Sequence, residues 1–299
     1  MALIAAVVAL LACLIGAEPP PPALSPLELS AMTFNIRYDN PADGPDRWEA
    51  RREQVAALIT DRDPDLIGLQ EVLHHQLEEL KKALPQYAAA GVGRDDGKTR
   101  GEYSCILYRA SRFELAESGT FWLSQTPETP GSRDWEAACV RICTWARLVD
   151  KPTGRGLYIF NTHLDHQSQK ARDLGAELIA RRIAERSYPA LPVILTGDLN
   201  AGEENSTTRF LTGRAPRAHL SPATPAPPRT GLVDSFRVKH PDEASVGTFN
   251  GFKKDDGRKI DYILVPDGTQ VLDAAIDRRS RDGRWPSDHF PVTARILLK

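Results

Sequence analysis

The chain has 299 residues, of which 41% are hydrophobic and 26% charged. That composition supplies a buried core and excludes a disordered or fibrous class. A net charge of -2 gives no global basic field, which argues against a processive binder of long nucleic acid but leaves room for a nuclease with a local basic patch.

Residues 1–17 are uncharged and almost wholly apolar, and a Pro-rich stretch follows over 18–27. A run this length suits a signal-peptide core better than a membrane span, which needs about 20 apolar residues. Ile15-Gly16-Ala17 offers small residues for cleavage, and Leu10-Leu11-Ala12-Cys13 offers a lipidation site. The expectation is a signal peptide or lipoprotein signal at 1–17, a linker at 18–27 and a catalytic domain at 28–299. Export follows, whether periplasmic, secreted or tethered to a membrane through the N-terminus. An uncleaved anchor is the alternative.

Residues 27–36 read as a strand. In 48–61, Val55, Leu58 and Ile59 fall on one helical face. Residues 65–70 are a short buried strand, and 74–84 a helix stopped by Pro85. Strands are predicted at 103–108, 113–121, 142–149 and 157–162, with Lys151-Pro152-Thr153-Gly154 as a turn. Residues 167–186 form a helix, with Ala171, Leu174, Leu178, Ile179 and Ile183 on one face. A strand at 192–196 runs into Gly197-Asp198. Residues 215–230 are Pro-rich without periodicity and read as a long surface loop. Strands at 259–265, 271–276 and 290–298 close the chain. No repeat and no later linker interrupts it, so one α/β domain with mixed strands is expected. Cys13 lies in the signal; Cys105, Cys139 and Cys143 are expected to be free, with no zinc partners nearby.

Polar residues gather where the apolar runs end. Asn35 closes the first strand and Glu71 the second; His163 follows Tyr158-Ile159-Phe160-Asn161-Thr162. Asp198 and Asn200 follow Val193-Ile194-Leu195-Thr196, Asp261 lies in Lys259-Ile260-Asp261-Tyr262-Ile263, and Asp288-His289 precede the last strand. A single such residue is ordinarily a turn former, cap or structural histidine. Six segments sharing the pattern point to one crevice, because strand ends in α/β folds converge. Asp, Glu and Asn are hard oxygen donors suited to magnesium or manganese. With two histidines they match the needs of phosphate-ester hydrolysis: charge neutralisation, an oriented water and proton transfer.

The ordered segments Thr33-Phe34-Asn35-Ile36-Arg37, Asp65-Leu66-Ile67-Gly68-Leu69-Gln70-Glu71, Asn161-Thr162-His163-Leu164, Thr196-Gly197-Asp198-Leu199-Asn200, Ile260-Asp261-Tyr262-Ile263 and Ser287-Asp288-His289-Phe290-Pro291-Val292 resemble the endonuclease/exonuclease/phosphatase superfamily, in its exported bacterial branch. The resemblance implies a four-layer α/β sandwich with two central mixed β-sheets flanked by helices. It implies Mg2+, with Mn2+ as a substitute, on Glu71, and Asn35 and Asp288 close to the metal. It implies an Asp261–His289 pair, His163 on the scissile phosphate, and Asp198 positioning or activating water with support from Asn200; Asp198 or His289 is the base.

Arg37 and Arg141 are further candidates to clamp phosphate, and Asp165 and His166 either widen the site or cap the next helix. The blocks Arg94-Asp95-Asp96-Gly97, Gly119-Thr120-Phe121-Trp122-Leu123-Ser124 and Thr248-Phe249-Asn250-Gly251-Phe252 are expected as loops around the site. Phe249, Asn250 and Phe252 are the expected substrate contacts there, and Trp145 is core. The substrate expected is a phosphate ester of nucleic acid, nucleotide, sugar or lipid, cleaved by a monomer with no stable protein partner. A calcineurin-like metallophosphoesterase would need an early Asp-x-His and a Gly-Asn-His block, and the latter is missing. An inactive binding module should have lost one of Glu71, His163, Asp198 or His289, and all four are present.

Overall fold

Twelve strands form two six-stranded sheets among residues 26–216 and 226–299, which the computed structural model describes. The expected signal, most of the linker and the middle of the Pro-rich segment lie outside the described residues. In chain order the elements are β1 (Leu27–Asn35), a 3-10 turn (Pro41–Asp46), α1 (Trp48–Arg62), β2 (Leu66–Gln70), α2 (His74–Ala83), β3 (Tyr87–Ala90) and β4 (Ile106–Arg109). Next come β5 (Phe113–Trp122), β6 (Ile142–Asp150), β7 (Arg155–His163), α3 (Gln169–Ala184), β8 (Val193–Asp198) and α4 (Ser206–Leu211). The chain ends with β9 (Leu232–Asp234), α5 (Ser235–Lys239), β10 (Asp261–Pro266), β11 (Gln270–Ile276) and β12 (Val292–Leu298).

One sheet has the order β11-β12-β1-β2-β4-β3 and the other β5-β6-β7-β8-β10-β9. Both are mixed: β1 is parallel to β2 and β7 to β8, while the remaining pairs are antiparallel. Three apolar clusters account for the layers. One fills the space between the sheets, one lies between the first sheet and α1 and α2, and one lies between the second sheet and α3 and α4. This is the expected four-layer sandwich.

Strand periodicity explains where polarity goes. Successive side chains alternate faces, so in β1 Leu27, Leu29 and Ala31 enter the inter-sheet core while Met32 and Phe34 face the helices. Thr33 and Asn35 continue the inter-sheet face. In β7, Leu157 and Ile159 enter the same core while Tyr158 and Phe160 face α3; Asn161 and His163 then continue the inward face. In β8, Ile194 is inward, followed by Thr196 and Asp198; in β10, Asp261 precedes inward Ile263 and Val265. Each inward stripe is thus apolar at one end and polar at the other.

Where the stripes change character, a buried tier of hydrogen bonds joins the sheets. Gln70 Nε2 donates to Asn161 Oδ1 at 2.7 Å and to Thr33 Oγ1 at 3.0 Å. Asn161 Nδ2 donates to the Leu69 and Cys105 carbonyls, and Thr196 Oγ1 to Asn161 Oδ1. Gly68 makes this approach possible: a Cβ there would lie 2.1 Å from Thr196 Oγ1 and 2.5 Å from Asn161 Oδ1. Gly68→Ala is therefore expected to destabilise the domain by about 1–3 kcal/mol through overpacking. A thermal melt should show a fall in Tm of roughly 3–10 °C.

Several short elements differ from expectation. The strand predicted at 103–108 is regular only from Ile106, with Tyr103 bridging Val72 alone. β3 escaped prediction because Ala88, Ala89 and Ala90 carry no β preference. The long helix starts at Gln169, where the Ser168 side chain accepts the Ala171 N–H. Residues 226–230 carry no regular structure.

Candidate active site

The polar ends of four inward stripes meet at one edge of the sandwich. His163 and Asp261 both pair in register with Asp198, from opposite sides of β8. Asn35 pairs with Gln70, so Glu71 follows directly beside it. The loop before β12 is tied in by Ser287 Oγ, which donates to the Asn35 carbonyl at 2.6 Å. Arg51, reaching up from α1, donates to the carbonyls of Ile36, Arg37 and Pro286. The resulting cavity, about 560 Å³, is lined by Arg37, Glu71, Arg141, His163, Asp198, Asn200, Phe249, Asp288 and His289 among others.

At its centre is a chain of charge. His289 Nδ1 lies 2.9 Å from Asp261 Oδ2, and its Nε2 lies 3.7 Å from Asp198 Oδ2. Asp198 accepts the Asn200 N–H on Oδ1 at 2.9 Å and Asn35 Nδ2 on Oδ2 at 3.0 Å. Burial and the charge of Asp261 push the Asp198 carboxyl up. Burial opposes ionisation of His289, but Asp261 and Asp198 outweigh it and hold the imidazole protonated.

His163 is the opposite case. Burial, then the charges of Arg141 and Arg94, push its pKa well down, so the ring is neutral. Asn200 Nδ2 donates both to the Leu164 carbonyl and to His163 Nε2, each at 3.0 Å. The first bond identifies that atom as a donor, so His163 Nε2 accepts and Nδ1 carries the proton. His163 Nδ1 has no partner among the described residues.

A third group of charges sits beside this pair. Glu71 accepts Asn35 Nδ2 at 3.0 Å and the Tyr38 N–H at 3.2 Å. Its φ of 58° is left-handed, as are Arg37 at 58° and Asn200 at 48°. Such backbone costs about 1–2 kcal/mol for a residue such as Glu, and its clustering here marks a site held by its surroundings. The Asp288 carboxyl is raised by burial, and the charge of Glu71 adds to the rise.

Hard carboxylate oxygens under mutual repulsion are the donor set a divalent cation fits. Glu71 and Asp288 meet that test. Asn35, expected close to the metal, lies beside Glu71: its Nδ2 bridges Glu71 and Asp198 while its Oδ1 accepts the Arg37 N–H, so it positions carboxylates. Asp198, Asp261 and His289 also offer ligand atoms within 4.8 Å of one another, but the close Asp261–His289 hydrogen bond makes that trio a proton-sharing group first.

The expected clamps divide. Arg37 gives its fork to Asp43, with Nε at 2.9 Å and Nη2 at 2.8 Å, and lies 3.8 Å from both Glu71 and Asp288. It is therefore a counter-charge to the carboxylates. Arg141 is buried and keeps Nε and Nη1 without partners among the described residues. Phe249 lines the cavity edge-on to His289, ring centroids 5.0 Å apart.

Asn250 and Phe252, expected as substrate contacts, are not among the lining residues. Asn250 holds the loop by donating to the Ser287 carbonyl and accepting the Phe252 N–H, and the Phe252 ring packs under Arg51. Asp165 accepts the Gln167 and Ser168 N–H groups, as a cap would, while His166 lines the cavity. Arg94, Glu102, Cys139 and Arg258 also line it and were not singled out as site residues; Arg94 lies in a flagged block, but nothing in its spacing aims its side chain. Trp122 is buried and fixes that block by donating to the Arg94 carbonyl at 2.6 Å.

The model of the endonuclease/exonuclease/phosphatase family matches residues 32–289. The endonuclease/exonuclease/phosphatase of Bacteroides vulgatus is 35% identical, with a TM-score of 0.80 over 91% of this chain and 100% of that one. The mannosyl-6-phosphatase Bt3783 of Bacteroides thetaiotaomicron is 36% identical, with a TM-score of 0.77 over 90% and 100%. The DNA repair nuclease APEX1 of Danio rerio is 29% identical over 116 residues, 36% of this chain and 37% of that protein. The chain spans only part of the length of the first curated relatives it matches, from 24% to 61%. The family match spans every segment that contributes to the cavity's centre, and the chain belongs to the endonuclease/exonuclease/phosphatase family.

Proposed function

We propose that this chain is an exported, Mg2+-dependent hydrolase of phosphate esters, with Mn2+ as a working substitute. One observation carries the reading: Glu71, His163, Asp198, Asp288 and His289 line a single cavity. Water attacks phosphorus, the ester P–O bond breaks, and the alcohol leaves with a proton. The cation on Glu71 and Asp288 would neutralise phosphoryl charge.

The protein's own groups do the rest. Asp198, fixed by Asn35 and the Asn200 N–H, orients the water and takes its proton; its raised pKa suits a base working near neutrality. His289, held by Asp261, sets a positive charge beside the reacting phosphoryl group and relays a proton. Neutral His163 donates its Nδ1–H to a phosphoryl oxygen. Phe249 excludes water from one face of His289.

The 36%-identical mannosyl-6-phosphatase supports a phosphorylated sugar as substrate; nucleotides, nucleic acid and phospholipids are the other classes. The apolar start of the chain supports export. The test is a panel on the mature domain: mannose 6-phosphate, nucleotides, DNA, RNA, inositol phosphates and sphingomyelin, each with Mg2+ or with chelator. Magnesium-dependent phosphate release from a sugar phosphate is expected. Equal turnover in chelator, or none of any ester, counts against the reading.

A further inference from the structure

One wall of the cavity is built from Arg94, Glu102, Cys139, Arg141 and His166. Arg141 is 5% exposed. Its Nη2 donates to His166 Nδ1 at 2.9 Å, and the Asp165 carboxylate stops 3.7 Å from its Nε. Nε and Nη1 are left without acceptors among the described residues. Arg94 pairs with Glu102 through Nη1 at 2.7 Å, while its Nε, 3.9 Å from the Asp95 carboxylate, has no hydrogen-bond acceptor among the described residues. His163 Nδ1 adds a further unpartnered donor. Arg141, Arg94 and His163 all line this one cavity.

Buried donors are ordinarily paired, because an unmet one forfeits its solvation. Four buried N–H donors on three side chains that line this cavity therefore match an acceptor-rich ligand. The phosphoryl group of a diester spreads one negative charge over two non-bridging oxygens. That of a monoester dianion spreads two charges over three. A cation held by Glu71 and Asp288 would take part of that charge, and the unpaired Arg141 donors fit the third oxygen.

We propose that Arg141, supported by Arg94, is a dianion clamp that makes this site prefer phosphomonoesters over phosphodiesters. The inference rests on the phosphohydrolase reading above and narrows its substrate class. Arg141 acts by contact with the phosphoryl group, and Arg94 reinforces it.

The test compares p-nitrophenyl phosphate with bis-p-nitrophenyl phosphate on the mature domain in Mg2+, for wild type, Arg141→Ala, Arg141→Lys and Arg94→Ala. Wild type is expected to favour the monoester in kcat/KM. Arg141→Ala should lower monoester kcat/KM by about 10- to 100-fold, the worth of hydrogen bonds to a charged group. The monoester-to-diester ratio should narrow by about tenfold or more, with Arg141→Lys recovering only part. Calorimetric titration with inorganic phosphate should weaken in parallel. Arg94→Ala should narrow the ratio less, and it carries the comparison if Arg141→Ala fails to fold. Equal losses on both esters, or a wild-type preference for the diester, would overturn the clamp while leaving the phosphohydrolase intact. Turnover of neither ester by wild type would overturn both.

Discussion

His289→Ala is expected to lower kcat by about 10²–10⁴-fold, the usual worth of a positioned proton-transfer group, in a protein that still folds. The imidazole is the cation between two buried carboxylates, 2.9 Å from Asp261 and 3.7 Å from Asp198. Removing it takes away the proton relay. It also leaves Asp198 facing Asp261 without the charge that now lowers its pKa, so Asp198 would be protonated more of the time and less able to take a proton from water. The two losses act as one unit and should not add. Asp261→Asn keeps the imidazole but removes its anchor, so a smaller loss is expected. Steady-state kinetics beside a thermal melt make the check: a folded His289→Ala variant with near-wild-type kcat would remove His289 from the mechanism.

Glu71→Gln should cost about 10³-fold in kcat/KM at a fixed low Mg2+ concentration, the effect of losing several kcal/mol of metal-borne charge stabilisation. The substitution keeps size and removes charge, so the hydrogen bonds from Asn35 and Tyr38 test geometry while the metal tests electrostatics. Raising Mg2+ should restore part of the rate, because Asp288 is left in place. A variant whose magnesium dependence matches wild type would unseat Glu71 as a ligand.

The layers and the centre of the site were legible for one reason. Each inward stripe, such as Leu157, Ile159, Asn161 and His163, is a period-2 series whose last members are polar, and that pattern survives in linear sequence. Residues brought in by loops were not legible. Arg94, Glu102 and Arg258 reach the cavity from turns whose direction depends on packing, as when Trp122 fixes the Arg94 carbonyl. The same dependence turned Asn250 into a loop brace and engaged Arg37 with Asp43. The left-handed backbone of Glu71 had no signal at all, since Glu does not favour that region. Short β3 failed because alanine is a weak witness for a strand.

A hard cation held on Glu71 would lie within reach of both site histidines. Paramagnetic broadening by substoichiometric Mn2+ tests it most directly, read on the imidazole NMR signals. His163 and His289 should broaden strongly, His240 should stay sharp, and Glu71→Gln should suppress the effect. Sharp His163 and His289 signals in wild type, or broadening that Glu71→Gln leaves untouched, would contradict it.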